Sequence, residues 1–193
     1  MKIAVIGRGQ VGGGLAERWR RAGHDVTDFG TDGGDATDAD VLVIAVPAAA
    51  IAGALAKVTG IDEKPTIDAT NAWGGRDESM PNAWVGRTES FASLAHKVKS
   101  IVGGPTAKAF NLNFASIYEH IDEQRARPTN LYAADQDACA VTEQLSRDAG
   151  YDPVYVGGLE NASMLEEHLA LMSAISHAGT GPFFYRIARP GDL

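Results

Sequence analysis

One cysteine in 193 residues, Cys139, leaves no partner for an internal disulfide and no Cys-x-x-Cys pair. It reads as a small apolar residue on a helix, and no metal site is expected. Basic blocks are missing as well: 17 Lys and Arg face 25 Asp and Glu, for a net charge of −8. That balance excludes a broad surface for nucleic acid or anionic membrane and leaves room for a local basic pocket only. Long hydrophobic runs are also absent. No run reaches transmembrane length, and the first apolar stretch is too short for a signal-peptide core. A soluble, cytoplasmic protein with neither nucleic-acid nor membrane partners is expected. No internal repeat, low-complexity tract or interdomain linker interrupts the chain, whose length suits one domain with a real core.

Glycine, in contrast, is plentiful, and its densest run has a telling context. Lys2 to Ile6 (KIAVI) is a short, mostly β-branched apolar stretch, the form of a buried strand in a parallel sheet. Val11, Leu15 and Trp19 recur at four-residue spacing, with Glu17, Arg18, Arg20 and Arg21 between or beside them, which predicts an amphipathic helix over 10–22. Gly7, Gly9 and Gly12 stand between strand and helix in GxGxxG spacing. There Gly7 permits a tight turn, Gly9 lets a pyrophosphate approach the backbone, and Gly12 lets helix and strand pack closely. The helix amino terminus then offers free N–H groups and a positive dipole end to phosphates. Strand, glycine motif and helix in that order predict a dinucleotide site.

Apolar runs continue to alternate with helical patterns, the sequence form of an α/β sheet. Further strands are predicted at 25–29, 41–45, 66–69, 106–110, 131–134 and 153–156. Helices are predicted from Pro47, with Ile51, Leu55 and Val58 inward, and over 90–101, 136–149 and 160–177. Residues 72–88, rich in Gly, Asn, Asp and Pro, read as a long loop. Between the second and third strands only TDGGDATDA intervenes. That is too short for a crossover helix plus a strand, yet when extended it reaches ~30 Å, enough to return across the sheet. The expected fold is therefore α/β, a Rossmann-like, mostly parallel sheet with helices on both faces. An acidic loop replaces the usual third strand of its first half. Residues 1–157 would form the dinucleotide-binding part, and 158–193 a small helix and tail of the same compact unit. The last helix carries Leu165, Leu169 and Met172 on one stripe and Met164, His168, Leu171 and Ile175 on the next. With Phe183, Phe184 and Tyr185 in the tail, that double stripe predicts a homodimer whose partner tail closes the acceptor pocket, the alternative being a helix and tail that simply cover their own sheet.

The set GRGQVGG (7–13), VIAVPAAAI (43–51), IDATNAW (67–73), KAFNLNFA (108–115) and GLENASMLEEHLALM (158–172) resembles the NADP-dependent oxidoreductases related to the coenzyme F420-dependent NADP reductases. It is most similar to the short bacterial members known as dinucleotide-binding oxidoreductases, in order and through nearly the whole chain. The resemblance implies NADP binding and hydride transfer to or from a small acceptor, a flavin or coenzyme F420. It sets the pyrophosphate against Gly7, Arg8, Gly9, Gln10 and Val11, and it lines the cofactor with Ala45, Val46 and Pro47. Asn71 falls where the family has Asn in a Thr-Asn-Pro run, with Ala72 replacing the proline. Ala109, Phe110 and Asn111 would lie by the nicotinamide, at the carboxyl end of the fifth strand. Ordinary core is the alternative for Phe110, and a strand lysine snorkelling to solvent is the reading of Lys108.

Cofactor choice turns on the end of the second strand, where NAD enzymes place an acid for the ribose 2′-hydroxyl. By register with the family that place is Gly30, followed by Thr31 where relatives often have arginine. The missing acid suits NADP rather than NAD. Arg8 is a candidate substitute for the missing arginine, with a plain surface role as its alternative, and Asp32 opposes a phosphate nearby. No catalytic residue stands out. Related β-hydroxyacid dehydrogenases place a proton-donating lysine on the helix after the nucleotide domain, where this chain has His168 and His177. A delocalised ring acceptor takes hydride with less help from a positioned acid. Two rivals remain open. ISHAGTGPFFY (175–185) resembles the Gly-rich segment at which pyrroline-5-carboxylate reductases grip substrate, which would make the chain an imine reductase. The other rival is a non-catalytic dinucleotide-binding sensor.

Overall fold

The computed structural model describes residues 1–71 and 92–191. The expected loop at 72–88 and the first residues of the helix expected over 90–101 lie outside them. The elements in chain order are β1 (Lys2–Ile6), α1 (Gln10–Arg21), β2 (Asp25–Phe29), β3 (Gly34–Asp35), β4 (Val41–Ile44), α2 (Ile51–Leu55) and β5 (Val58–Thr59). There follow β6 (Thr66–Asp68), α3 (Leu94–Val102), β7 (Thr106–Lys108), β8 (Thr129–Ala134), α4 (Gln136–Asp148), β9 (Asp152–Tyr155) and α5 (Ala162–Ile175). Seven strands form one sheet in the order β2-β1-β4-β6-β7-β8-β9. All neighbours are parallel except β7 and β8.

Strand alternation feeds two cores. Ile3, Val5, Val41 and Val43 face one side, against Leu15 and Trp19 of α1 and Ala138 and Leu145 of α4. Ala4, Ile6, Leu42 and Ile44 face the other, against Ile51 and Leu55 of α2 and Val98 and Val102 of α3. With both faces covered, every position of β4 is buried, so the strand reads as an unbroken apolar run. A third cluster joins Leu165 and Met172 of α5 to Leu131 and Ala133 of β8.

β2 forms the edge of this sheet, so the usual third strand is absent, as its short connection predicts. The expected loop is more ordered than a plain connection. Gly34 and Asp35 make β3, which pairs with β5 in a separate two-stranded sheet. Asp35 keys this turn by accepting from the Thr37 N–H, the Thr37 hydroxyl and the Thr59 hydroxyl. Those bonds, the Thr37 hydroxyl first, hold its carboxyl below the usual range. Lys64 donates to the carbonyls of Thr37 and Ala39 and ties the same stretch down.

Two further differences have local causes. The helix expected from Pro47 is a 3₁₀ turn at Ala48–Ala50 followed by the short α2. Val58 is buried on β5 rather than on that helix, because the chain turns there to pair with β3. Ala115–Glu123 forms a 3₁₀ segment that buries Tyr118 and Ile121. The ring of Tyr118 lies against Gly14 of α1, where a Cβ would collide with it.

Candidate functional site

Sheet order reverses direction at β1: β2 lies on one side and β4 on the other, with the glycine loop at the carboxyl end between them. Open α/β sheets bind ligands at such a switch point. The three glycines act in different ways. Gly7 has φ +109°, and a Cβ there would collide with the Ala45 carbonyl and the Val46 side chain. Its N–H donates to the Phe29 carbonyl at 2.9 Å, which ties the β1 turn to the end of β2. A Cβ on Gly12 would strike the Gly7 carbonyl, so α1 sits against the turn as closely as backbone allows. Gly9 is the opposite case: nothing lies within 4 Å of where its Cβ would be. It caps α1 with no side-chain hydrogen bond, and no acid occupies the first turn. The unpaired N–H groups of that turn and the positive dipole end therefore face open space beside Gly9. Gln10 is exposed, while the half-buried Val11 packs against the core and can offer only its backbone. Ala45 and Val46 are half-buried against the loop, and Pro47 is exposed.

The end of β2 carries a cation in an unusual way. The Arg8 guanidinium lies across Gly30, where a Cβ would collide with Nε and Nη2. No hydrogen bond or ion pair holds this guanidinium among the described residues. Lys57 donates to the Thr31 carbonyl at 2.8 Å, bringing a second cation to the same turn. Thr31 and Asp32 are exposed. Residue 30 is a glycine that makes room for an arginine, where an acid would select the ribose 2′-hydroxyl.

Across the switch point, the ends of β6 and β7 hold a buried ion cluster. Asp68 and Lys108 are register partners. Lys108 Nζ lies 2.8 Å from Asp68 Oδ2 and 2.9 Å from Glu166 Oε1, and it donates to the Thr70 carbonyl at 2.6 Å. Lys108 and Asp68 are 0% exposed and Glu166 8%. The snorkelling expected of Lys108 is thus overturned, since β7 is an interior strand beneath α3 and α5 and two carboxylates replace solvent around the amine. Glu166 also accepts from the Leu94 N–H at the start of α3. Asp68 Oδ1 accepts from the Thr70 N–H at 2.8 Å.

This cluster supports a pair of asparagines. Asn71 Nδ2 donates to the Asn111 carbonyl at 2.7 Å, and Asn111 Nδ2 donates to Asn71 Oδ1 at 3.0 Å and the Leu165 carbonyl at 3.2 Å. Ala109 is fully buried. Phe110 is left-handed, with φ +62°, held by its N–H donating to Asn130 Oδ1 at 2.9 Å. Its ring turns into the core, edge-on to Trp19 and Tyr151 with centroids 5.7 and 6.2 Å away. The ring therefore occupies the core position weighed against a place by the nicotinamide, and residue 110 brings only backbone to the crevice. Of the polar atoms buried without a hydrogen-bond partner among the described residues, Thr70 Oγ1 and Asn111 Oδ1 stand at this end of the sheet, apart from the phenols of Tyr118, Tyr151 and Tyr185. His168 is half-buried, and the exposed His177 places Nδ1 2.7 Å from the Ser173 carbonyl, which makes that nitrogen a donor.

The residues present fit a dinucleotide: an open cradle at Gly9, a free guanidinium over Gly30, and unpartnered polar atoms at the far end. Asp68, Thr70 and Glu166 are not evident from sequence patterns alone. An acid and a base closing two interior strands, TID and TAK, are the signal that could have found the first pair.

No protein-family model matches the chain, and no curated protein does. Solved structures match along most of its length. A protein from Arthrobacter sp. FB24, provisionally assigned as an F420-dependent NADP reductase, has a TM-score of 0.81 at 23% identity, covering 98% of this chain and 100% of that one. The hypothetical protein SMa0349 from Sinorhizobium meliloti has a TM-score of 0.64 at 25% identity, covering 84% of this chain and 87% of its own. Pyrroline carboxylate reductase from Plasmodium falciparum, solved with NADP bound, has a TM-score of 0.57 at 9% identity and covers 92% of this chain and 65% of its own. The chain thus has the Rossmann-like fold shared by these proteins.

Proposed function

We propose that this protein is an oxidoreductase that binds NADP(H) and passes hydride between its nicotinamide and a small acceptor of flavin or deazaflavin type. The observation that carries the reading is the free Arg8 guanidinium lying across Gly30, beside the uncapped first turn of α1. A 2′-phosphate beside Gly30 would meet a planar bidentate donor where NAD enzymes place an acid. The structural neighbours that bear NADP or are assigned to its use support the same reading.

When bound, NADPH supplies the hydride. The chain's own residues have four tasks. The first turn of α1 holds the diphosphate, with Gly9 leaving the approach open. Arg8 selects the phosphorylated ribose. Ala45 and Val46 shape the wall beside the glycine loop. Asn71 and Asn111, locked to each other, fix the carboxyl ends of β6 and β7. None of these groups is an acid placed to protonate an alkoxide, which favours a ring acceptor that delocalises the added charge.

The same reading includes a cytoplasmic homodimer built on α5. Leu165 and Met172 are buried, while Met164 (63%), Leu171 (52%) and Ile175 (37%) stay exposed on the second stripe. Single-turnover oxidation of NADPH tests the chemistry, with FMN, coenzyme F420 and a cyclic imine offered in parallel. Oxidation with a flavin or F420 supports the proposal. Oxidation with the imine alone would make the chain an imine reductase, and none with any acceptor despite tight NADPH binding would favour a sensor.

A further inference from the structure

We infer, resting on the reading of a bound nicotinamide dinucleotide, that the Thr70 hydroxyl and the Asn111 side-chain carbonyl form the receptor for a primary carboxamide, that of the nicotinamide. Both atoms are buried without a partner among the described residues. Buried polar groups in folded proteins are nearly always paired, so two orphans at adjoining strand ends point to something that completes them. The local network leaves no freedom about what each can do. Asn111 Nδ2 donates to Asn71 Oδ1 and to the Leu165 carbonyl, two atoms that can only accept. That settles which side of the amide is NH2, and Oδ1 is left as an acceptor in need of a donor.

Thr70 is fixed on both flanks. Its N–H donates to Asp68 Oδ1 and its carbonyl accepts from Lys108 Nζ. The hydroxyl is thus held in place by the buried ion cluster while having no bond of its own. Its proton is available to an incoming acceptor. What remains is one donor and one acceptor, on the segments that leave the paired strands β6 and β7 at their carboxyl ends. A primary carboxamide presents the complement, one carbonyl oxygen and one NH2 group. In this view the Lys108–Asp68–Glu166 cluster positions Thr70, and the Asn71 clasp positions Asn111.

Calorimetric titration with oxidised NADP, its 3-acetylpyridine analogue and 2′,5′-ADP tests this. The analogue keeps the ring carbonyl and replaces NH2 with methyl, so it lacks the donor for Asn111. Wild type should bind NADP about tenfold tighter than the analogue, the scale of one hydrogen bond. Thr70→Val should weaken NADP about tenfold, Thr70→Ser should restore it, and 2′,5′-ADP should bind all three proteins alike. The melting temperature of ligand-free Thr70→Val should match or exceed that of wild type, because a buried unpartnered hydroxyl has been removed. Equal binding of NADP and the analogue, with Thr70→Val indistinguishable from wild type, would overturn the carboxamide receptor while 2′,5′-ADP binding upheld the dinucleotide site. A parallel loss of 2′,5′-ADP in Thr70→Val would overturn it too, by showing a structural role. Wild type that binds neither NADP nor 2′,5′-ADP would overturn the dinucleotide reading itself.

Discussion

At the scale of single residues, the proposed choice of cofactor rests on Arg8. Its guanidinium reaches Gly30 from within the glycine loop, so the charge arrives from the strand next to the one that usually carries it. A glycine at 30 is a condition for this, since any side chain there would displace the arginine. Arg8→Ala should weaken NADPH by about 1.5–3 kcal/mol, the range for hydrogen bonds to a charged group, and scarcely change NADH. Paired calorimetric titrations measure both losses at once. Equal losses would reassign Arg8 to the diphosphate, and a wild type that prefers NADH would defeat the choice of NADP.

At the scale of elements, the ion cluster at the ends of β6 and β7 ties together parts far apart in sequence. Glu166 of α5 bonds both Lys108 and the Leu94 N–H of α3, so one carboxylate joins a strand and two helices. Lys108→Met should leave two buried carboxylates uncompensated and destabilise the fold by about 3–5 kcal/mol. Lys99→Met is the contrast. That lysine meets Asp135 with 42% of its side chain exposed, and its loss should cost under about 1 kcal/mol. Urea unfolding of both variants measures the difference; comparable losses would mean the cluster is no more than an ordinary surface pair. The same cluster shows what a linear sequence conceals. Strands such as Val41–Ile44 were legible because burial on both faces leaves an unbroken apolar run. The glycine loop was legible because each glycine answers a steric demand that spacing expresses. Lys108 was not, because its partners stand 38 and more residues away and nothing local announces them. Phe110 turned inward for a similar reason, since its left-handed backbone depends on Asn130 of the neighbouring strand. The 3₁₀ segment at Ala115–Glu123 buries few apolar side chains, too sparse a pattern to mark a helix.

At the scale of the whole molecule, alkaline titration and the proposed self-association can each be measured. Burial raises the phenols of Tyr118 and Tyr151 far above their ordinary value and that of Tyr185 to about 12. Burial and the Glu143 carboxylate raise Tyr132 as well. A raised folded-state value favours the neutral phenol, so this stability is complete below about pH 10 and is lost as pH climbs from there. Tyrosinate absorbance should therefore rise together with loss of circular dichroism, and free titration near pH 10 in an intact fold would contradict the burial. The proposed self-association rests on the face that the fold leaves uncovered. The tail expected to reach a partner instead packs at home: Phe183 meets Phe114 with ring centroids 5.3 Å apart, and the Tyr185 carbonyl accepts from the Thr129 N–H. The contact proposed for a dimer therefore centres on Met164, Leu171 and Ile175 of α5, which stay exposed. These lie at helical spacing on one stripe, where a two-fold related copy would set the same stripe against itself. Sedimentation at micromolar concentration should find a species near twice 20.3 kDa. Leu171→Glu should convert it to monomer without lowering the melting temperature of the monomer, because the side chain is half exposed. A wild type that sediments as a monomer at every concentration would remove the dimer and leave the dinucleotide site untouched.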